Sequence, residues 1–374
     1  MVGRPGTILP RRHLLALTAA ALAAPHIACA QTAPGITDEL VKAAQKEGVL
    51  SYYHNSDIEP TGLWTAVFAA KFGIQMKNIR LPSYPLFDRW LNEERVGRHL
   101  ADLIQITDPT LLSLANRQGF VASHVTAGGA VIPAALQEPG IWYGLFTDSM
   151  GIGYNHTRMT ADEERLIQTG GWKVLTDPRW KGRIGTATPA SGGSSYAFCY
   201  MFLVALREQY GEAFMRAVAA NKPDIYASKA PLFERLAAGE YALMDQGSSG
   251  TLSEQYLKGA PIRWVYPAPT PVAMTSQCIS KNAPHPNAAR LFQEWCTSVE
   301  GQTAWLAYAI AGTTRPDVVD PRRAARADWF KEPWFHDPTE LYTAYLKDPG
   351  FADPKKPVIA QWNEIFGYQS GRKG

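Results

Sequence analysis

A chain of 374 residues with 46% hydrophobic and 19% charged content carries too much apolar material for disorder and too many residues for one ordinary core, so two domains are the default. Its 37 basic residues stand against 34 acidic ones, but Arg4, Arg11 and Arg12 fall within residues 1–30 with no acid among them, leaving 34 against 34 beyond that point. With no lasting positive field and no Lys/Arg run, nothing points to nucleic acid or a membrane surface.

Residues 1–30 read as an export signal, with Arg11 and Arg12, an apolar core from Leu14 to Ala24, and the small-residue site Ala28-Cys29-Ala30. Arg11 and Arg12 before His13-Leu14-Leu15 are similar to a twin-arginine signal, with an ordinary secretion leader as the alternative. The apolar run is shorter than the roughly 20 residues a membrane span needs, and no later segment qualifies. His26 stands where a lipobox wants an aliphatic residue, which argues against lipidation at Cys29. A soluble periplasmic product is expected.

In chain order, Thr37 caps an amphipathic helix ending before Gly48, and 49–53 reads as a strand. A helix over 63–72, a strand over 76–81, a helix over 87–96 and a buried strand over 101–106 follow. Each strand hands over to a polar loop, the α/β pattern in which ligands gather at strand carboxyl ends. His54, Asn55, Ser83, Tyr84, Thr107 and Asp108 are therefore candidate ligand contacts.

Residues 150–155 read as an extended crossing between domains. Beyond it, Gly182 to Tyr196 is a strand, a small polar loop and a helix start, a combination that leaves backbone N–H groups free at the positive end of a helix. Thr188, Ser191, Gly192, Gly193, Ser194 and Ser195 are the anion-holding candidates in this loop. The segment 223–228 contributes Tyr226, a helix covers 231–238, and a strand over 241–244 ends in the polar loop Asp245-Gln246-Gly247-Ser248-Ser249-Gly250, where Asp245 and Gln246 are candidates. A second crossing covers 272–279. Helices from Asn287 onward are expected to pack on the first domain, with the aromatic stretch 329–368 as a surface extension.

The chemistry of catalysis finds little support. No lysine follows the glycines of the 182–196 loop as a P-loop demands, and G-x-G-x-x-G and G-x-S-x-G spacings are absent. The histidines beyond the leader form no H-x-x-x-H pair, so no local metal site or cofactor is read. Cys199, Cys278 and Cys296 form no C-x-x-C; a Cys278–Cys296 disulfide and buried free thiols are both open in an oxidising compartment. An enzyme using Ser191, Ser194 or Ser195 as nucleophile is the rival from another class.

Asp177-Pro178-Arg179-Trp180-Lys181-Gly182-Arg183-Ile184-Gly185, the run from Ser280 to Arg290 with Phe292 and Glu300-Gly301-Gln302, and Arg315-Pro316-Asp317 together resemble the extracellular solute-binding proteins of iron-type ABC importers. The resemblance implies a type II periplasmic binding protein-like fold, in which two α/β lobes joined by a two-strand hinge close on a ligand. It places lobe 1 at 31–146 and 280–374 with the C-terminal extension, and lobe 2 at 147–279. It implies no enzymatic activity, a monomer, and an inner-membrane ABC permease as partner. Ferric members carry adjacent tyrosines near the position of Asp245 to Gly250; none stand here, and Tyr52 and Tyr53 point to opposite faces of a strand. Small organic anions such as phosphonates, sugar phosphates or carboxylates are the implied ligands, with ferric ion as the alternative and a signalling role beside transport.

Overall fold

The computed structural model describes residues 33–309, 312–319, 332–336, 340–348, 350–353 and 356–369. Residues 1–30, expected to be an export signal, and part of the extension lie outside the described residues. At the start of the described chain, Thr37 accepts from the Leu40 amide and Gly48 closes the helix Asp38–Glu47 in a left-handed conformation at φ 69°.

Three parallel strands follow, Val49–His54, Gln75–Arg80 and Leu103–Ile106, with Val49–His54 in the middle. Their connecting helices are Ile58–Phe72 and Ser83–Arg95. Parallel strands end on the same edge, so the loops after His54, Arg80 and Ile106 converge there. A second parallel set has Ile184–Ala187 between Asp224–Tyr226 and Leu243–Ser248. Two long antiparallel strands join the sets. Trp142–Asn155 pairs with Thr270–Ser280 through residues 143–149 and with Leu243–Ser248 through residues 150–154.

Packing follows this division. One core gathers Tyr52, Trp64, Phe68, Phe292, Trp295 and Trp305. Another, on the far side of the same sheet, gathers Tyr53, Leu86, Trp90, Ile104 and Leu112. Met150, Ile152, Phe198 and Phe202 belong to a third, and Leu232, Met244, Leu252 and Trp264 to a fourth. The long strand thus carries Leu145 and Phe146 into one lobe and Met150 and Ile152 into the other.

Three features differ from the sequence reading. The helix at 87–96 begins earlier, at Ser83, because Pro82 opens the turn and Leu86 and Phe87 already face the core. The polar stretch from Asp245 is no loop: the strand Leu243–Ser248 runs through it before the helix Ser249–Leu257. Its polar side chains bond inside the sheet, where Thr186 Oγ1 donates to Asp245 Oδ2 at 2.9 Å and Gln246 Nε2 donates to the Ala187 carbonyl at 3.0 Å, while Asp245 Oδ1 and Gln246 Oε1 are buried without a partner. The C-terminal helix Pro357–Phe366, expected on lobe 1, packs instead on Gly193–Tyr200 and Gly211–Ala220, and inserts Val358 and Trp362 into the core of Phe198 and Phe202. That surface is aromatic, and the extension supplies the matching apolar face.

The helices Pro286–Cys296 and Val299–Tyr308 do pack with the first-lobe core. Cys199, Cys278 and Cys296 are buried free thiols in three different cores, which excludes the Cys278–Cys296 disulfide in this arrangement.

Candidate functional site

The converging strand ends form a cleft of about 260 Å³ lined from both lobes. From the first lobe come Asn55, Ser56, Asp57, Arg80, Ser83 and Thr107; from the second, Ser191, Gly192, Ser194, Ser195, Ser228 and Lys229. Asp148, Ala273 and Thr275 of the long strands also line it.

The serine loop has the predicted shape. The strand Ile184–Ala187 passes through the short turn Pro189–Ser191 into the helix Gly193–Tyr200, whose N-cap Gly192 has no side chain to offer. Its first intrahelical bond runs from the Tyr196 amide to the Gly192 carbonyl at 2.9 Å, so the Gly193, Ser194 and Ser195 amides precede the ladder as anion donors. Ser191 Oγ donates to Ser195 Oγ at 3.0 Å. Across the cleft, Ser83 Oγ and Thr107 Oγ1 lie 2.9 Å apart, and the Thr107 amide donates to Ser83 Oγ at 3.2 Å.

Gly193 explains how closely the loops approach. A Cβ there would stand 2.2 Å from the Thr107 carbonyl oxygen and 2.9 Å from the Asp108 nitrogen. Only a residue without a side chain lets the two lobes touch at this point.

Two cations dominate the electrostatics. Lys229 is the N-cap of the helix Ala230–Ala237, and its Nζ donates to Ser194 Oγ at 3.1 Å. Burial pushes its pKa down to about 8, against the pull of Asp148 and Asp245. Arg80 closes its strand with Nε buried and without a hydrogen-bond partner. Neither cation has a carboxylate in ion-pair contact among the described residues. The acids of the lining are occupied instead: Asp148 Oδ1 accepts from the Gly250 amide and Ser249 Oγ, each at 3.0 Å, and Asp57 Oδ2 accepts from Thr251 Oγ1 at 2.8 Å. Lys258, the third cation of the lining, is paired with Glu254, which leaves Arg80 and Lys229 as the lining cations without an ion-pair partner among the described residues.

Of the sequence candidates, Asn55, Ser83, Thr107, Ser191, Gly192, Ser194 and Ser195 line this space; the others stand outside the lining for identifiable reasons. His54 is buried beneath it, stacked on Tyr52 at 5.5 Å, and burial and Arg80 push its pKa down to about 4. Tyr84 donates to Asp108 Oδ2 at 3.2 Å, and Asp108 caps the helix Pro109–Arg117 while pairing with Lys356 at 2.9 Å. Thr188 turns its hydroxyl back to the Ala190 amide at 3.3 Å. Gly193 packs against Thr107. Tyr226 meets the Tyr241 hydroxyl and lies under Arg235, 5.5 Å from the ring centre. Asp245 and Gln246 are buried in the sheet behind the loop.

Arg80 and Lys229 escaped the sequence reading. A readable signal existed for Lys229, since a lysine at a helix N-cap opposes the helix dipole and so wants another purpose. Arg80 had the strand-end position, a short turn ahead of Ser83, but an arginine closing a strand is locally indistinguishable from a solvated surface charge.

The structure is similar to the periplasmic binding protein AfuA from Actinobacillus pleuropneumoniae with fructose-6-phosphate bound, at 20% identity and a TM-score of 0.73 over 86% of this chain and 99% of that one. It is similar to iron-bound HitA from Pseudomonas aeruginosa at 18% identity and a TM-score of 0.66, over 85% of this chain and 99% of that one. These likenesses establish a type II periplasmic binding protein fold of two α/β lobes. An uncharacterized protein of Haemophilus influenzae is 29% identical over 178 residues, and the match spans 46% of this chain and about half, 51%, of that protein's length. The family model of bacterial extracellular solute-binding proteins matches residues 98–329, well over half of the chain, and the chain belongs to that family.

Proposed function

We propose that the protein is the extracytoplasmic solute-binding component of an ABC importer and holds a small organic anion, such as a phosphonate, sugar phosphate or carboxylate, between its lobes. The observation that carries this reading is the pair of cations, Arg80 and Lys229, that face one cleft without carboxylate partners and stand among the hydroxyls of Ser83, Thr107, Ser191, Ser194 and Ser195. An anion would supply what both cations lack. The fructose-6-phosphate bound to AfuA supports the same class of ligand. Lobe boundaries near 146/147 and 279/280, export to the periplasm as a monomer, and delivery to an inner-membrane permease belong to this proposal.

Ferric ion fits the cleft less well. Tyr308 is the one tyrosine of the lining, and no group of three or more His, Cys, Asp or Glu residues suited to a metal occurs among the described residues. The Lys229–Ser194 contact resembles a nucleophile and its base, yet the family is one of binding proteins, and Lys229 serves here as an anion partner.

Mass spectrometry of ligand retained by the purified protein, followed by calorimetric titration of that compound, tests the proposal. A charge-assisted hydrogen bond contributes about 1.5–3 kcal/mol, so Arg80→Ala and Lys229→Ala should each weaken binding by about 10- to 100-fold. Unchanged affinity in both variants would remove the anion reading.

A further inference from the structure

Among the described residues, none of the aromatic C-terminal segment lines the cleft, yet one of them reaches the boundary between the lobes. Lys356 is almost fully buried and is held at φ 46°, a left-handed conformation that costs energy for a side chain of this kind. Its Nζ donates to Asp108 Oδ2 and to the Phe351 carbonyl, each at 2.9 Å. The ammonium lies 4.4 Å from the Tyr196 ring centre, 5.0 Å from Phe351 and 5.9 Å from Tyr84. Such a carboxylate and ring enclosure suits a desolvated cation.

This cage is assembled from three parts of the chain. Asp108 and Tyr84 come from first-lobe elements, the cap of Pro109–Arg117 and the helix Ser83–Arg95. Tyr196 sits on the second-lobe helix Gly193–Tyr200, and Phe351 and Lys356 sit on the extension. The extension itself rides on the second lobe, with Phe351, Val358 and Trp362 in the core of Phe198 and Phe202. Each first-lobe member of the cage is also next in sequence to a residue of the cleft: Tyr84 to Ser83, and Asp108 to Thr107. Tyr196 follows Ser195. Parting the lobes would draw Asp108 and Tyr84 away and leave Lys356 buried beside rings without its carboxylate.

We propose that Lys356 is a positioning residue for the cleft and that the C-terminal segment is a latch fastening the lobes in their closed arrangement. The proposal rests on the reading that the cleft closes on a solute. Latch and ligand stabilise the same arrangement, so each strengthens the other.

The test uses the full chain without ligand, read by small-angle X-ray scattering. A chain of this length has a compact radius of gyration of roughly 20 Å. Lys356→Met should raise the radius by about 1 Å as the lobes part, and Lys356→Arg, which keeps the charge over the rings, should restore it. Asp108→Asn keeps the capping oxygen and removes the charge, so it decides the matter if Lys356→Met fails to fold. A fall in melting temperature with no change of radius in either variant would mean that the ion pair is merely structural and would overturn the latch. Inorganic phosphate titrated against Arg80→Ala reports on the cleft separately: loss of phosphate binding there with the radius unchanged is expected, and equal binding would sink the anion reading while leaving the scattering result intact.

Discussion

Lys229 Nζ donates to Ser194 Oγ at 3.1 Å, which puts an ammonium group at the open end of the helix Gly193–Tyr200. The contact sets a positive charge beside amides that themselves favour an anion, so the two effects act on the same bound atom. Asp148 and Asp245 favour the charged ammonium there, against the burial that disfavours it.

Lys229 makes ligand binding depend on pH. Its pKa without ligand is about 8, and an anion favours the charged form, so affinity is retained below that value and lost as pH rises through it. The slope approaches about tenfold per pH unit above pH 8. Titration calorimetry from neutral to alkaline pH should show the fall, and Lys229→Arg, which stays charged, should flatten it. A flat profile for the native protein would release Lys229 from the anion role.

Gly193 governs closure. In Gly193→Ala the added Cβ meets the Thr107 carbonyl, so the two loops must separate. Each lobe keeps its own core, and circular dichroism should be unchanged, while affinity for the retained ligand falls by about tenfold or more. Native affinity in this variant would show that the loops need not touch for binding.

Asp245 lowers stability at neutral pH. Burial pushes its pKa up to about 7 from an ordinary value near 3.8, so the folded protein holds a proton more tightly than the unfolded chain. Stability from this group is present below about pH 4 and is lost as pH rises towards 7. Asp245→Asn should therefore raise the melting temperature near pH 8 by roughly 2 °C or more and leave it nearly unchanged at pH 4. Equal melting temperatures at pH 8 would show that Thr186 and Lys229 already compensate the buried charge.

The described cysteines should be silent in the native state. Cys199, Cys278 and Cys296 are free and buried, and burial pushes each thiol's pKa up, away from the reactive thiolate. Ellman's reagent should find none of the three before denaturation and all of them after it. Reaction of the native protein within seconds would contradict their burial.

Features that depend on neighbours along the chain were legible in the sequence. Alternating strand and helix signals defined an α/β architecture, the Thr37 cap and Gly48 stop bounded the first helix, and the strand, turn and helix from Gly182 to Tyr196 were legible because Ser, Pro and Gly act locally. Tertiary structure decided what depends on distance. Asp245 and Gln246 look like loop polarity in sequence, and only their hydrogen bonds to Thr186 and Ala187 reveal them as buried members of the sheet. Arg80 and Lys229 lie far apart in the chain, and their shared cleft exists only because two parallel sets of strands end towards each other. The partner of Lys356 is Asp108, separated by 248 positions, a pairing that no local rule encodes because the free energy of a buried charge is set by whatever the fold brings against it.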